Sequence, residues 1–194
     1  MGTPQPIASF SFSDYLIWEE SQSEKHEFVR SEVFAMTDAR REHVTVAGNL
    51  FAAFRSHLRG SPCRSYIADM KVRLAIADAA FYPAVMVTCD QRDHAADLFM
   101  SHPKLIVEVL SDSAAAYDRG DKFADYRKLE SLQEFVIVDI AARRVECFRR
   151  DASNHWVLFD YTGDGECRFD SIDLDMPLAD VFEDVEPPLA EVGQ

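Results

Sequence analysis

The run KLIVEVLS, residues 104–111, constrains this chain more than any other stretch, because a single carboxylate interrupts an otherwise apolar segment. Its short apolar character predicts a central strand, and side-chain alternation places Ile106, Glu108 and Leu110 on one face. Burying an unpaired carboxylate is costly. Glu108 therefore needs a cation, a hydrogen-bond network or a place at the open end of its strand. A salt-bridged or edge-exposed glutamate answers that need, and so does a metal site; the tendency of perturbed carboxylates to gather at functional sites favours the second.

Other segments supply the rest of a sheet. CRSYIADMKVRLAI (63–76) and AFYPAVMVTC (80–89) precede KLIVEVLS as β-like runs, and the stretch FYPAVMVTCD (81–90) reads as one buried strand. EFVIVD, RRVECFRR and HWVLFDY, separated by short polar turns, predict an antiparallel meander. HEFVRSEVFAM (26–36) predicts two strands or a hairpin around Arg30 and Ser31, with Glu27 at its entry. Between Glu42 and Leu58 the residues Val44, Ala47, Leu50, Phe51, Phe54 and Leu58 recur at helical spacing, and Gly60 marks a stop. A short helix over 12–22 is expected with Ser13 as its cap, a broken helix over 111–131 with the break near Gly120, and a short helix at PLADVF (177–182). This order implies an α/β or α+β fold, a mixed sheet flanked by helices, in one domain spanning 1–194 with an acidic tail from about 183 to 194.

The net charge of −14 opposes polyanion binding, but it is unevenly spread. From Asp160 to Gln194 eleven Asp and Glu face one Arg, leaving −4 for the preceding residues, where Arg119, Lys122, Arg127 and Lys128 are candidates for a basic face. No apolar run reaches the roughly 20 residues of a membrane span, and the N-terminus lacks a secretory pattern, so a cytoplasmic protein with no membrane partner is expected. Cys63, Cys89, Cys147 and Cys167 contain no CxxC pair, which predicts reduced, mostly buried thiols rather than a zinc knuckle or a disulfide framework. The six histidines form no HExxH or HxH arrangement and read as surface or capping residues.

Metal-assisted phosphodiester hydrolysis requires hard oxygen ligands and a cation near the reacting group. Glu108 and Lys122 supply two of the parts, although a lysine on a helix is ordinarily a solvated charge. The segments HEFVRSEVFAM, GNLFAAFRSHLRG, DMKVRL, FYPAVMVTCD, LIVEVLSDSAAAYDRGDKFADYRKLESLQEFVIVD and VECFRRD together resemble a large restriction-endonuclease family long filed as a domain of unknown function, from about Phe12 to Phe182. That family is similar to the PD-(D/E)XK nucleases. The resemblance implies a core of mixed strands flanked by helices, a Mg²⁺-dependent site and DNA as substrate.

On this resemblance Glu108 is the acidic member of the second half-motif and a metal ligand, while Leu110 stands where that half-motif usually has its lysine. The resemblance places the lysine on the following helix, at Lys122, and makes Glu27 an accessory site residue. Ser31 occupies a position where glycine is usual, which should affect a turn rather than chemistry. The metal-binding Asp falls on Ala84, and a methyl group cannot bind Mg²⁺. Asp78 and Asp90 lie six residues away, about 20 Å along an extended strand, so neither substitutes; Asp69 or Glu27 could approach from another strand. The resemblance thus implies a homodimeric Mg²⁺-dependent DNA endonuclease with activity weakened or lost at Ala84. The alternative is a non-catalytic homodimeric module that binds nucleic acid or protein. Either way Glu108, Lys122 and the Cβ of Ala84 should meet at one end of the central strands.

Overall fold

The computed structural model describes residues 10–36, 40–111 and 117–186. A hairpin of β1 (His26–Val29) and β2 (Glu32–Ala35) opens the first sheet, which also takes β4 (Lys71–Leu74), β5 (Ala79–Phe81) and β7 (Phe99–Met100) in the order β2-β1-β5-β4-β7. The second sheet joins β3 (Arg64–Ile67), β6 (Val85–Thr88), β8 (Pro103–Val109), β9 (Glu134–Asp139), β10 (Arg144–Arg150) and β11 (Trp156–Tyr161) in the order β11-β10-β9-β8-β6-β3. A small hairpin of β12 (Glu166–Phe169) and β13 (Leu174–Pro177) stands apart. The second sheet is mixed, since β8 runs parallel to β9 and antiparallel to β6, and β9, β10 and β11 form the expected meander.

Helix α2 (Arg41–His57) covers one face of the second sheet, setting Val46, Leu50 and Phe54 in a core with Val85, Val87, Leu105 and Val107. On the other face Met86, Ile106 and Ile137 pack with Val72, Leu74 and Phe81 of the first sheet. Both faces of β8 are therefore buried, which is why its sequence is almost continuously apolar. Ile106 and Leu110 join this second core, so Glu108 sits on the face turned toward the first sheet.

Several sequence expectations change here. CRSYIADMKVRLAI divides between β3 and β4, which lie in different sheets, and AFYPAVMVTC divides between β5 and β6 in the same way. Residues 81–90 thus form no single strand; the chain crosses between sheets at Tyr82, Pro83 and Ala84. Composition hides such a crossing because both strands are equally buried. Strands β7, β12 and β13 have no counterpart among the expected strands. Helix α1 (Phe12–Glu19) is capped by Ser11, whose hydroxyl accepts from Asp14 N–H while Asp14 bonds back, so Ser13 lies inside the helix. On α2 Val44 points outward and Val46 inward.

The cysteines also need correction. The β3–β6 register pairs Arg64 with Thr88, and one further step sets Cys63 opposite Cys89, with Cα atoms 4.0 Å apart and the two sulfurs bonded. Cys147 and Cys167 are buried free thiols, as expected. No helix among the described residues is long and apolar enough to cross a membrane.

The β1–β2 turn holds two non-glycine residues at positive φ, Arg30 at 49° and Ser31 at 66°. Two-residue hairpins favour this left-handed pair of conformations, but side chains other than glycine, Asn or Asp adopt it at a cost. Ser31→Gly is expected to raise unfolding free energy by about 1 kcal/mol, measured by urea denaturation. An unchanged or lower midpoint would mean that the turn carries no such strain.

Candidate functional site

Between the two sheets, three acidic side chains converge on one buried lysine. Lys122 Nζ lies 2.7 Å from Glu27 Oε1, 3.2 Å from Glu108 Oε1 and 3.6 Å from Asp118 Oδ1. Glu27 comes from β1, across the sheet from the end of β5, and Glu108 from β8. Asp118 and Lys122 bracket a π-helical turn, Asp118–Lys122, that leads into the helical turn Phe123–Tyr126. The wider π turn brings two residues four apart onto the same point, and such turns recur at functional sites. Gly120 lies inside it, where the sequence predicts a break.

Apolar and aromatic neighbours close the cluster. The ring of Phe81 lies 5.2 Å below the Lys122 ammonium, and the buried Tyr126 hydroxyl donates to Glu108 Oε1 at 2.9 Å. His43, in the first turn of α2, hydrogen-bonds the backbone of Val109; burial, and less strongly Lys122, lower its pKa, so this edge of the site carries a neutral imidazole. Glu27 Oε1 accepts no well-aligned hydrogen bond, so its contact with Lys122 is one of charge.

Three carboxylates exceed what one ammonium neutralises. Burial pushes Glu108 up to about 8, against the pull of Lys122, and raises Asp118 as well. Lys122 moves upward because Glu108, Glu27 and Asp118 together outweigh its own desolvation. The direction is consistent throughout: Lys122 stays charged, while Glu108 and Asp118 hold protons more tightly than free carboxyl groups do.

Glu108, Lys122 and Glu27 therefore meet, with the Lys122 ammonium in direct contact with both carboxylates. The β6–β8 register pairs Val85 with Val107, and one further step places Ala84 across from Glu108. Ala84 is buried, and its carbonyl accepts from Ala68 N–H at 3.1 Å. Asp69 does not enter the site; it is exposed and pairs with Lys25. Asp118, Tyr126 and His43 are site residues that the sequence reading misses. The spacing of Asp118 and Lys122 at i and i+4 is the available signal for the first; nothing local marks the other two.

These residues do not fit a resident metal ion as they stand. Among the described residues no three His, Cys, Asp or Glu side chains are arranged to hold one, Ala84 presents a methyl group, and Lys122 occupies the space between Glu27 and Glu108. The anticipated basic face also dissolves: Lys122 is buried, Arg119 pairs with Asp139 and Glu146, and Lys128 pairs with Asp125. Arg127 is exposed over the Phe123 ring.

A mixed sheet covered by a helix on one face and by a second sheet on the other, with acidic residues and a lysine meeting between the sheets, is the architecture of a nuclease-like fold. A solved structure described as a putative nuclease belonging to DUF820 from Anabaena variabilis superposes with a TM-score of 0.74 at 14% identity, covering 89% of this chain and 97% of that one. Residues 12–176 match the Uma2 family, described as "Putative restriction endonuclease", and the chain belongs to that family. An uncharacterized Synechocystis sp. protein is 32% identical over 177 residues, 91% of this chain and 93% of its own. A second protein from that organism is 30% identical over 154 residues, 78% of this chain and 87% of its own.

Proposed function

We propose that this chain is a DNA endonuclease by architecture whose Mg²⁺-dependent centre is one carboxylate short, so that it holds Mg²⁺ weakly and cuts phosphodiesters slowly. The observation that carries this reading is Ala84, buried and in register with Glu108. Mg²⁺ is held by one or two carboxylates together with water and substrate phosphates, so losing one of two ligands removes much of what the protein contributes. Of the carboxylates that remain, Glu27 and Glu108 both face Lys122. DNA binding should itself be weak and salt-sensitive, because two of the basic side chains near the site are paired with acidic ones and Lys122 is buried.

A second reading, a binding module that keeps the fold without chemistry, is favoured by one feature: the Lys122 ammonium is buried and taken up by three carboxylates of its own chain. Calorimetric titration with Mg²⁺ and nicking of supercoiled plasmid, for the native chain and Glu108→Gln, separate the two. Under the first reading Mg²⁺ binds in the millimolar range, and slow Mg²⁺-dependent nicking falls to background in Glu108→Gln. Nicking indistinguishable between the two proteins selects the binding module. Fast nicking with tight Mg²⁺ binding would show that another residue does the work of the missing Asp.

A further inference from the structure

Seven large apolar residues are well exposed among the described residues, and four of them, Ile17, Val44, Ile76 and Leu98, are scattered. The other three are consecutive: Val157, Leu158 and Phe159 are 43%, 47% and 39% exposed, and all lie on β11, the outermost strand of the second sheet. An apolar edge strand with free backbone groups is a pairing site unless something blunts it, and β11 has no proline, no lysine and one charged residue, Asp160. We propose that β11 is a twofold interface at which a second copy of this chain pairs antiparallel, Leu158 opposite the partner's Leu158, to continue the sheet across the dimer.

The register follows from the hairpin. Asp151 N–H donates to His155 O at 2.8 Å, and the β10–β11 ladder then alternates, so that residues 155, 157, 159 and 161 turn their backbone groups toward β10. Trp156, Leu158 and Asp160 turn theirs outward. A twofold axis normal to the sheet joins residues of like parity, and the register centred on Leu158 engages all three outward-facing residues. Trp156 then stands opposite the partner's Asp160.

Charge singles out a second copy as the occupant. Arg150 pairs with Trp156 in the β10–β11 register, its guanidinium 4.8 Å from the indole ring. The row across the interface thus runs from Arg150 over Trp156 to the partner's Asp160, opposite charges flanking an aromatic ring, and symmetry repeats it at the other end. Along β11 no like charges meet, which lets a chain of net charge −14 associate with itself at this edge.

Sedimentation equilibrium of the full chain at tens of micromolar tests the interface. The native chain is expected to dimerise. Leu158→Lys and Leu158→Glu should each weaken the dimer at least about 100-fold, because like charges would face each other on the axis, while circular dichroism reports an unchanged fold at this exposed position. An equimolar mixture of the two variants should dimerise again, since lysine then meets glutamate. A native monomer under these conditions overturns the proposal, as do variants that remain dimeric or a mixture that stays monomeric. An extended peptide from another protein that binds β11 while the native chain stays monomeric would also overturn it.

Discussion

Ala84→Asp is expected to raise Mg²⁺ affinity and plasmid nicking by at least about 100-fold over the native chain, the scale at which even supporting groups around a metal act. Residue 84 precedes β6 and continues the register that pairs Val85 with Val107, so its backbone stands across the ladder from Glu108, with the methyl group packed at the edge of the core under α2. Two facing carboxylates repel, and a divalent cation relieves that repulsion. The position is buried, so the added charge has no solvent to relax into and the protein should lose stability without metal and regain it with metal. Three measurements belong together: calorimetry with Mg²⁺, thermal midpoints with and without Mg²⁺, and plasmid nicking. Adding Glu108→Ala to Ala84→Asp should abolish both the binding gain and the nicking. If Ala84→Asp binds Mg²⁺ yet does not cut, the ligand is restored but another part of the centre is lost. If it gains neither, the site has decayed by more than one residue and the binding-module reading stands.

Much of this centre was legible in the sequence, and the reasons are local. Glu108 stood out because one carboxylate in an apolar strand has to be compensated, and the fold compensates it with Lys122 and Tyr126. Helix α2 was legible from its period, and the meander from turns that separate short β-branched runs. Lys122 was different. Its spacing on a helix fits a solvated charge equally well, and only the family resemblance raised it to the site. Burial of its ammonium depends on β1 and β8 arriving from different sheets, a long-range fact that no window of sequence contains.

The misreadings have the same origin. Tyr82, Pro83 and Ala84 look like the middle of one strand because both flanks are apolar, yet the chain leaves one sheet and enters the other there. Cys63 and Cys89 are 26 residues apart in the chain, and only the β3–β6 register brings them together. The basic face failed because composition counts charges without their partners. Asp139 and Glu146 sit on adjacent strands where both reach Arg119, and this pairing removes a cation that counting had left for DNA.

Lys122→Met is expected to destabilise the protein by about 3–5 kcal/mol at pH 8, the usual cost of removing one partner from a buried ionic cluster. Methionine keeps much of the side-chain volume, so the loss reports charge rather than a cavity. Glu27, Glu108 and Asp118 would remain together with no cation among them. The pH dependence has a definite sign. Glu108 is pushed up to about 8 from an ordinary 4.5, so between those values the folded chain holds a proton that the unfolded chain has released. Native stability therefore falls as pH rises through that window, by at most about 1.4 kcal/mol per unit from this group. Without the ammonium the carboxylates hold protons more tightly still, and the fall should steepen and extend to higher pH. Urea denaturation at pH 5 and pH 8 checks both statements: the penalty of Lys122→Met should be largest at pH 8 and shrink at pH 5. Adding Glu108→Gln to Lys122→Met should recover part of the stability at pH 8, because the amide keeps a hydrogen-bonding group for Tyr126 and is neutral without having to take up a proton on folding. A penalty below about 1 kcal/mol at pH 8, or one that does not depend on pH, would mean that solvent reaches the cluster and that Lys122 is not the cation holding it together.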